Sequence, residues 1–118
     1  DIFKTELSNY EEIFEEIIKR SKSITDSIGS KIYFVSIPTY SELLNGQNNT
    51  SKTVEKIVRK NGIEYLNLSE YFLSKTDPES IFSWKTTGHF STLGSRLTSQ
   101  FLSKNIVNKY KSRDDNND

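Results

Sequence analysis

The sequence predicts an α/β fold in which short parallel strands alternate with helices. The first observation is a nearly unbroken apolar run, residues 31–38, typical of a strand that is covered on both faces. The second is another apolar run, residues 63–68, which follows a helical pattern. The third is a long amphipathic segment towards each end of the chain. Strand, helix and strand in this order form a βαβ unit, so we expect two parallel strands and about three helices.

The first helix is predicted from Phe3 to about residues 21–23. Apolar residues recur there at intervals of three and four, at Phe3, Leu7, Tyr10, Phe14 and Ile17. A second interpretation stays open, because Ser8 and Glu11 have the spacing of a capping box. In that interpretation the helix begins at Asn9, and residues 3–7 belong to a preceding turn.

The βαβ unit is predicted between Gly29 and residue 68. Its first strand follows Gly29 and stops at Pro38, and residues 39–50 are interpreted as a loop. A helix over residues 53–60 follows, because Val54, Ile57 and Val58 share one face. The sequence Asn61-Gly62 is typical of a helix end, and the second strand occupies residues 63–68.

The C-terminal part is predicted to contain a mixed segment, a loop and a last helix. In residues 69–82 a helical turn is expected around residues 70–73, with a break at Asp77-Pro78. Ser91 is the predicted N-cap of the last helix. The apolar stripe of this helix consists of Leu93, Leu97, Phe101, Leu102 and Ile106. Residues 112–118 are predicted to be a disordered tail, because they are too polar to pack.

Two parallel strands cannot satisfy the backbone hydrogen bonds of both their edges. We therefore expect further sheet from an upstream segment, from a second chain or from an exchange between copies. The chain begins with Asp1 and not with Met, which also predicts a preceding segment. The alternative is a small sheet that takes an extra strand from residues 69–84.

Composition excludes several classes of function. Sixteen acidic residues balance sixteen basic ones without a long basic run, so neither nucleic acid nor an anionic membrane is an expected partner. No apolar stretch reaches the roughly 20 residues of a membrane span. A chain with no cysteine and one histidine offers few metal ligands, and no glycine-rich loop follows a strand. We expect neither metal nor cofactor, and the cellular compartment stays unknown.

The single histidine, His89, is the predicted functional residue. It lies in a polar loop just before the last helix, where an imidazole can meet a substrate as a general base. The competing interpretation is a surface histidine beside a helix end. Ser91 is interpreted as a cap and not as a nucleophile, because no Gly-x-Ser-x-Gly elbow surrounds it. A glycine in the first helical turn, Gly94, indicates a close approach of two backbones.

The order of these parts resembles the C-terminal half of an SGNH (GDSL-type) hydrolase. The strand ending in Ile37-Pro38, the crossover helix, the strand at residues 63–68, the loop with Gly88-His89-Phe90-Ser91 and the closing helix carry this resemblance. It implies a flavodoxin-like three-layer α/β/α fold with a five-stranded parallel sheet, of which residues 1–111 form the C-terminal part. His89 and Gly94 match the family's last block, and Asp1 is a candidate for the end of its Gly-x-Asn-Asp block.

The resemblance implies a serine esterase or acyl hydrolase whose nucleophilic serine lies outside this chain. Its substrate would be an ester or an acetylated carbohydrate. The positions of the family's Asp before the histidine are occupied here by Thr86 and Thr87. Either the enzyme works with a Ser-His pair, or the acid comes from elsewhere, with Asp77 and Glu79 nearest in the sequence, or activity is lost.

Two aromatic residues near the histidine also have two interpretations. Trp84 and Phe90 either line an acyl or sugar pocket or belong to the ordinary core. The function of the whole chain has an alternative too, namely a non-catalytic α/β module that binds a glycan or pairs with a partner.

Overall fold

The computed structural model describes the backbone of residues 2–84 and 88–114, and the side chains of residues 9–84 and 88–111. The order of elements is α1 (Ile2–Ser27), β1 (Tyr33–Ser36), α2 (Tyr40–Asn45), α3 (Asn49–Lys60), β2 (Glu64–Asn67), α4 (Ser69–Lys75), a 3₁₀ turn (Pro78–Ser80), α5 (Thr92–Leu102), a π-helical turn (Ser103–Val107) and α6 (Asn108–Asp114). The chain is therefore a mixed α/β protein with a two-stranded parallel sheet.

The chain divides into two compact units, each made of two separate stretches of sequence. Unit 1 contains residues 1–36 and 48–66, and unit 2 contains residues 37–47 and 67–118. Unit 1 holds α1, β1, α3 and nearly all of β2. Unit 2 holds α2, α4, the 3₁₀ turn and the C-terminal helices.

The core of unit 1 forms where α1 and α3 pack on the sheet. Its buried residues are Ile18, Ile57, Val58, Ile63 and Tyr65. The ring of Phe34 stacks on Tyr65, with centroids 5.5 Å apart, and Phe14 meets Phe34 edge to face at 6.2 Å. These contacts join β1 to β2 and pack α1 on the sheet.

Two ion pairs join elements of unit 1 at its surface. Lys60 Nζ lies 2.9 Å from Glu15 Oε1 and links α3 to α1. The hydrogen bonds from Lys60 and then Asn61 lower the pKa of the Glu15 carboxyl. Lys31 Nζ lies 3.0 Å from Glu64 Oε2, and this hydrogen bond raises the pKa of Lys31. Both pairs are exposed, so each adds little to the free energy of unfolding.

The sheet is only partly covered. All four residues of β1 are half-buried, so the prediction of a strand covered on both faces is wrong for β1. The middle residues of β2 are buried and its ends are half-buried. Within the described parts of the chain, no third strand pairs with either edge, and the alternative strand from residues 69–84 is not formed.

The first helix is longer than predicted, and it has no break before Asn9. It runs without interruption through Ile2–Ser27, so the alternative start at Asn9, with Ser8 as the cap, is not adopted. At its C-terminal end the Ser21 hydroxyl donates to the Ile17 carbonyl at 2.8 Å, and the Thr25 hydroxyl donates to the Ser21 carbonyl at 3.1 Å. Serine and threonine are therefore accommodated in the helix, where the sequence pattern predicted its end.

The region between the two strands contains two helices where a loop and one helix were predicted. Residues 39–50 include α2, which begins with a capping box: the Thr39 hydroxyl accepts from the Glu42 amide, and the Glu42 carboxylate accepts from the Thr39 amide. The following helix, α3, starts four residues earlier than predicted, since Asn48 caps it. Its predicted end at Asn61-Gly62 is confirmed.

The described C-terminal half has more helical segments than the one helical turn and the last helix that were predicted. The turn expected around residues 70–73 is α4, and Asp77 caps the 3₁₀ turn that follows the predicted break. The last helix begins after Ser91 as predicted, but a π-helical turn divides it at Ser103–Val107. The backbone of α6 continues to Asp114, and residues 115–118 lie outside the described residues.

Candidate active site

The loop that carries His89 is fixed at both of its ends within unit 2. Phe82 and Phe90 form an antiparallel β-bridge, and the Ser83 amide donates to the His89 carbonyl at 2.9 Å. The Ser83 hydroxyl donates to the Phe90 carbonyl at 3.0 Å. These bonds place the chain before and after the loop side by side, so the backbone of His89 is anchored.

Ser91 connects this anchored segment to the last helix. Its hydroxyl accepts from the Gly94 amide at 3.1 Å, which confirms the predicted N-cap. The same hydroxyl donates to the Ser80 carbonyl at 2.5 Å, and the Ser91 amide donates to the Ile81 carbonyl at 2.8 Å. The hydroxyl is therefore occupied by structural hydrogen bonds, which agrees with a cap and not with a nucleophile.

Gly94 lies against the same carbonyl. A Cβ at this position would overlap the Ile81 oxygen and would come within 3.1 Å of the Phe90 ring. The predicted close approach of backbones at Gly94 is confirmed. Only glycine lets α5 start this close to the segment before the loop.

The imidazole of His89 is exposed to solvent. Its backbone carbonyl is bonded to Ser83, and no described residue forms a hydrogen bond with the ring. Gly88, directly before it, has a φ of +69°, a conformation that glycine adopts without strain. An exposed imidazole on a fixed backbone has the accessibility that a general base needs.

Among the candidate orienting groups, Asp77 is engaged away from the imidazole. The Asp77 carboxylate accepts from the Ser80 amide at 3.0 Å and from the Ser80 hydroxyl at 3.1 Å, so it caps the 3₁₀ turn. Thr86, Thr87 and the candidate block residue Asp1 lie outside the described residues.

The two candidate pocket residues have different environments. Phe90 stacks on Phe82 with centroids 5.8 Å apart, and it meets Phe72 edge to face at 5.8 Å. Because Phe72 is fully buried and Phe82 nearly so, Phe90 contributes to the core of unit 2. Trp84 is 71% exposed at the start of the loop. The structure therefore assigns Phe90 a packing role and leaves the Trp84 indole accessible beside the loop.

Sequence reasoning missed the residues that anchor the loop. Ser80, Ile81 and Ser83 supply the carbonyls and the donors that hold residues 89–91. No local pattern identifies them, because their partners lie on the other side of the loop.

Other site chemistry is limited among the described residues. They include no group of three His, Asp or Glu side chains placed to hold a metal ion, and no helix long and apolar enough to cross a membrane.

A cavity of about 480 Å³ lies in unit 1 between α1 and α3, where Tyr10, Phe14 and Val54 contribute to its wall.

Comparison with protein-family models, with curated proteins and with solved structures finds no match to this chain. The resemblance to SGNH hydrolases therefore depends on the residues quoted above alone.

Proposed function

We propose that this chain is the C-terminal part of a serine ester hydrolase of SGNH type, with His89 as its general base. The observation that carries the proposal is an exposed imidazole on an anchored backbone, directly before a helix whose start depends on Gly94. The proposed fold is a flavodoxin-like three-layer α/β/α domain, in which β1 and β2 are two strands of a larger parallel sheet.

In this proposal the nucleophilic serine and the oxyanion donors come from an upstream segment or from a second chain. The imidazole of His89 takes the proton from the serine hydroxyl as its oxygen bonds to the ester carbonyl carbon. When the bond to the leaving alcohol breaks, the imidazolium returns the proton to that alcohol. A water molecule, activated in the same way, then releases the acyl group and restores the serine. Esters of small acyl groups, including acetylated carbohydrates, are the proposed substrates.

The orienting group distinguishes this site from a complete triad. A carboxylate beside an imidazole fixes its tautomer and stabilises the imidazolium. Thr86 and Thr87 occupy the positions where the family has its acid, and a hydroxyl can do only the first of these tasks. We therefore propose a Ser-His pair, with a turnover lower than that of a complete triad.

The direct test uses the protein that contains this chain together with its upstream segment. We expect it to hydrolyse a short-chain aryl ester, and His89→Ala to lower turnover at least about a hundredfold, as for loss of a general base. The matched control is Arg96→Ala, which removes an exposed side chain of α5 and should leave turnover unchanged. Equal turnover of His89→Ala and wild type would reject the assigned role.

A second candidate function is a non-catalytic module that binds a glycan or pairs with a partner. It is favoured by the engagement of the Asp77 carboxylate in capping the 3₁₀ turn, where it accepts from Ser80 and not from the imidazole. A folded protein with its upstream segment that hydrolyses no ester, but binds an immobilised glycan through the exposed Trp84, would select this candidate.

A further inference from the structure

Helix α1 has a second apolar face besides the one that packs in unit 1. Phe14 and Ile18 contact the core of unit 1. A separate row of large apolar side chains, here called the outer stripe, is 55–71% exposed and consists of Tyr10, Ile13, Ile17 and Ile24. No described residue covers Ile13, Ile17 or Ile24, and Tyr10, at the edge of the stripe, also borders the cavity between α1 and α3.

The outer stripe is continuous along the helix. At 100° per residue, its four members fall within an arc of about 60°. Single exposed apolar residues are ordinary in soluble proteins, but a continuous row on one helix face is typical of an interaction surface. Ile17 and Ile24 are seven residues apart, and Ile13 lies four residues before Ile17, which are the spacings of a helix–helix seam.

The charges along α1 indicate which partner fits. Beside the outer stripe the acidic residues Glu12 and Glu16 precede the basic residue Arg20 along the helix. Arg20 Nε lies 2.9 Å from Glu16 Oε1 within the helix, and both side chains are exposed. A parallel copy of this helix would place like charges side by side, whereas an antiparallel copy brings Glu16 to Arg20 of the second copy.

We propose that the outer stripe is the interface with a second copy of this chain, in which the two α1 helices pack antiparallel about a two-fold axis near Ile17 and Arg20. Ile13 then faces Ile24 of the second copy, and Glu16 reaches Arg20 of the second copy. A two-fold interface of this kind is self-complementary and closes after two chains. The flanking charges determine the orientation of the helices, as they do in coiled coils.

The first test is the oligomeric state by sedimentation equilibrium over a range of chain concentrations. In the protein that contains this chain we expect a mass twice that of one polypeptide, and we expect Ile17→Glu to raise the dimer dissociation constant at least about tenfold, since it buries a charge in an apolar seam. The matched control, Leu73→Glu, changes an exposed leucine of α4 and should leave the dimer intact.

Two outcomes of this test would overturn the proposal. One is a monomer at every concentration. The other is a lower melting temperature of Ile17→Glu under conditions in which the wild type is monomeric, because the stripe would then be covered within the molecule itself.

The second test exchanges the charges between chains. In the two-fold dimer, Glu16→Arg makes both Glu16–Arg20 pairs between the chains pairs of cations, and Arg20→Glu makes both pairs of anions, so each variant alone should dimerise at least about tenfold more weakly than the wild type. An equimolar mixture of the two should form a heterodimer, and the double variant should recover the dimer. A mixture that stays monomeric would overturn the antiparallel pairing. So would a wild-type dimer that neither substitution weakens.

Discussion

Replacing Gly94 by alanine tests whether the start of α5 depends on a close backbone contact. The added methyl group would overlap the Ile81 carbonyl oxygen and press on the Phe90 ring. The carbonyl belongs to the backbone, and it accepts a hydrogen bond from the Ser91 amide at 2.8 Å. It can move only if the anchor of the His89 loop also moves.

The expected magnitude combines three contributions. Overpacking a tight contact costs about 1–3 kcal/mol, and losing one backbone hydrogen bond costs about 1 kcal/mol. Alanine is favoured over glycine in a helix by about 1 kcal/mol, which offsets part of this cost. We therefore expect Gly94→Ala to lower the free energy of unfolding by about 1–3 kcal/mol, although alanine is the better helix former.

The assay is urea unfolding followed by the circular dichroism of the helices and by the fluorescence of Trp84, the only tryptophan of the chain. Ser95→Ala is the matched control, because Ser95 is the next residue of α5 and is exposed; it should change the free energy of unfolding by less than about 0.5 kcal/mol. A Gly94→Ala variant as stable as the wild type, or more stable, would refute the argument that backbone proximity requires a glycine here.

Three further predictions concern the cap, the surface charges and the core. Ser91→Ala should lower the free energy of unfolding by about 0.5–2 kcal/mol in the same urea assay, because the N-cap of α5 is lost; an unchanged midpoint would contradict the cap. Lys60→Met should raise the pKa of Glu15 in an NMR titration, because the hydrogen bond from Lys60 is the main cause of its lowered value. A lowered carboxyl pKa stabilises the folded state at pH values above 4.5, the pKa of the unfolded state, and this stabilisation is lost on acidification. The variant should therefore lose less stability than the wild type when the pH falls below 4.5. An equal loss would argue against the ion pair. Phe72→Ala should lower the free energy of unfolding by about 3–5 kcal/mol in denaturant, because Phe72 is fully buried. Leu73→Ala, on the exposed side of α4, should lower it by less than about 0.5 kcal/mol. Similar losses for the two variants would contradict the assigned core.

The βαβ unit could be predicted because its signals are local. Apolar runs define β1 and β2, and the Asn61-Gly62 pair ends α3 where a helix needs a residue with positive φ. The short helix α2 was missed although its capping box, Thr39 and Glu42, is present in the sequence. That signal was available, but the many polar residues after it favoured a loop.

Two errors in helix length have side-chain causes. Near the end of α1, the hydroxyls of Ser21 and Thr25 donate hydrogen bonds to carbonyls of the preceding turn, so these residues do not end the helix. In the C-terminal helix, the side-chain amide of Asn105, a residue of the π-helical turn, donates to the Phe101 carbonyl of α5 at 2.8 Å. Neither feature changes the apolar periodicity, which was the basis of the prediction.

The candidate site was predictable only in the part that belongs to the helix start. Ser91 and Gly94 lie within one turn, and their roles follow from capping and from the cost of a helical glycine. The bridge between Phe82 and Phe90 joins residues across the loop, so it depends on tertiary packing that no local pattern records. The positions of these anchors could therefore come only from the structure.

The most direct test of the central claim is chemical rescue of a variant that lacks the imidazole. If the proposed hydrolase is assembled with the upstream segment that the proposal requires, His89→Gly should lose ester hydrolysis, and added free imidazole should restore it at least about tenfold in a saturable manner, because the missing base is replaced in place. A His89→Gly variant that keeps wild-type turnover, or that stays folded and inactive at saturating imidazole, would contradict a general-base role for His89.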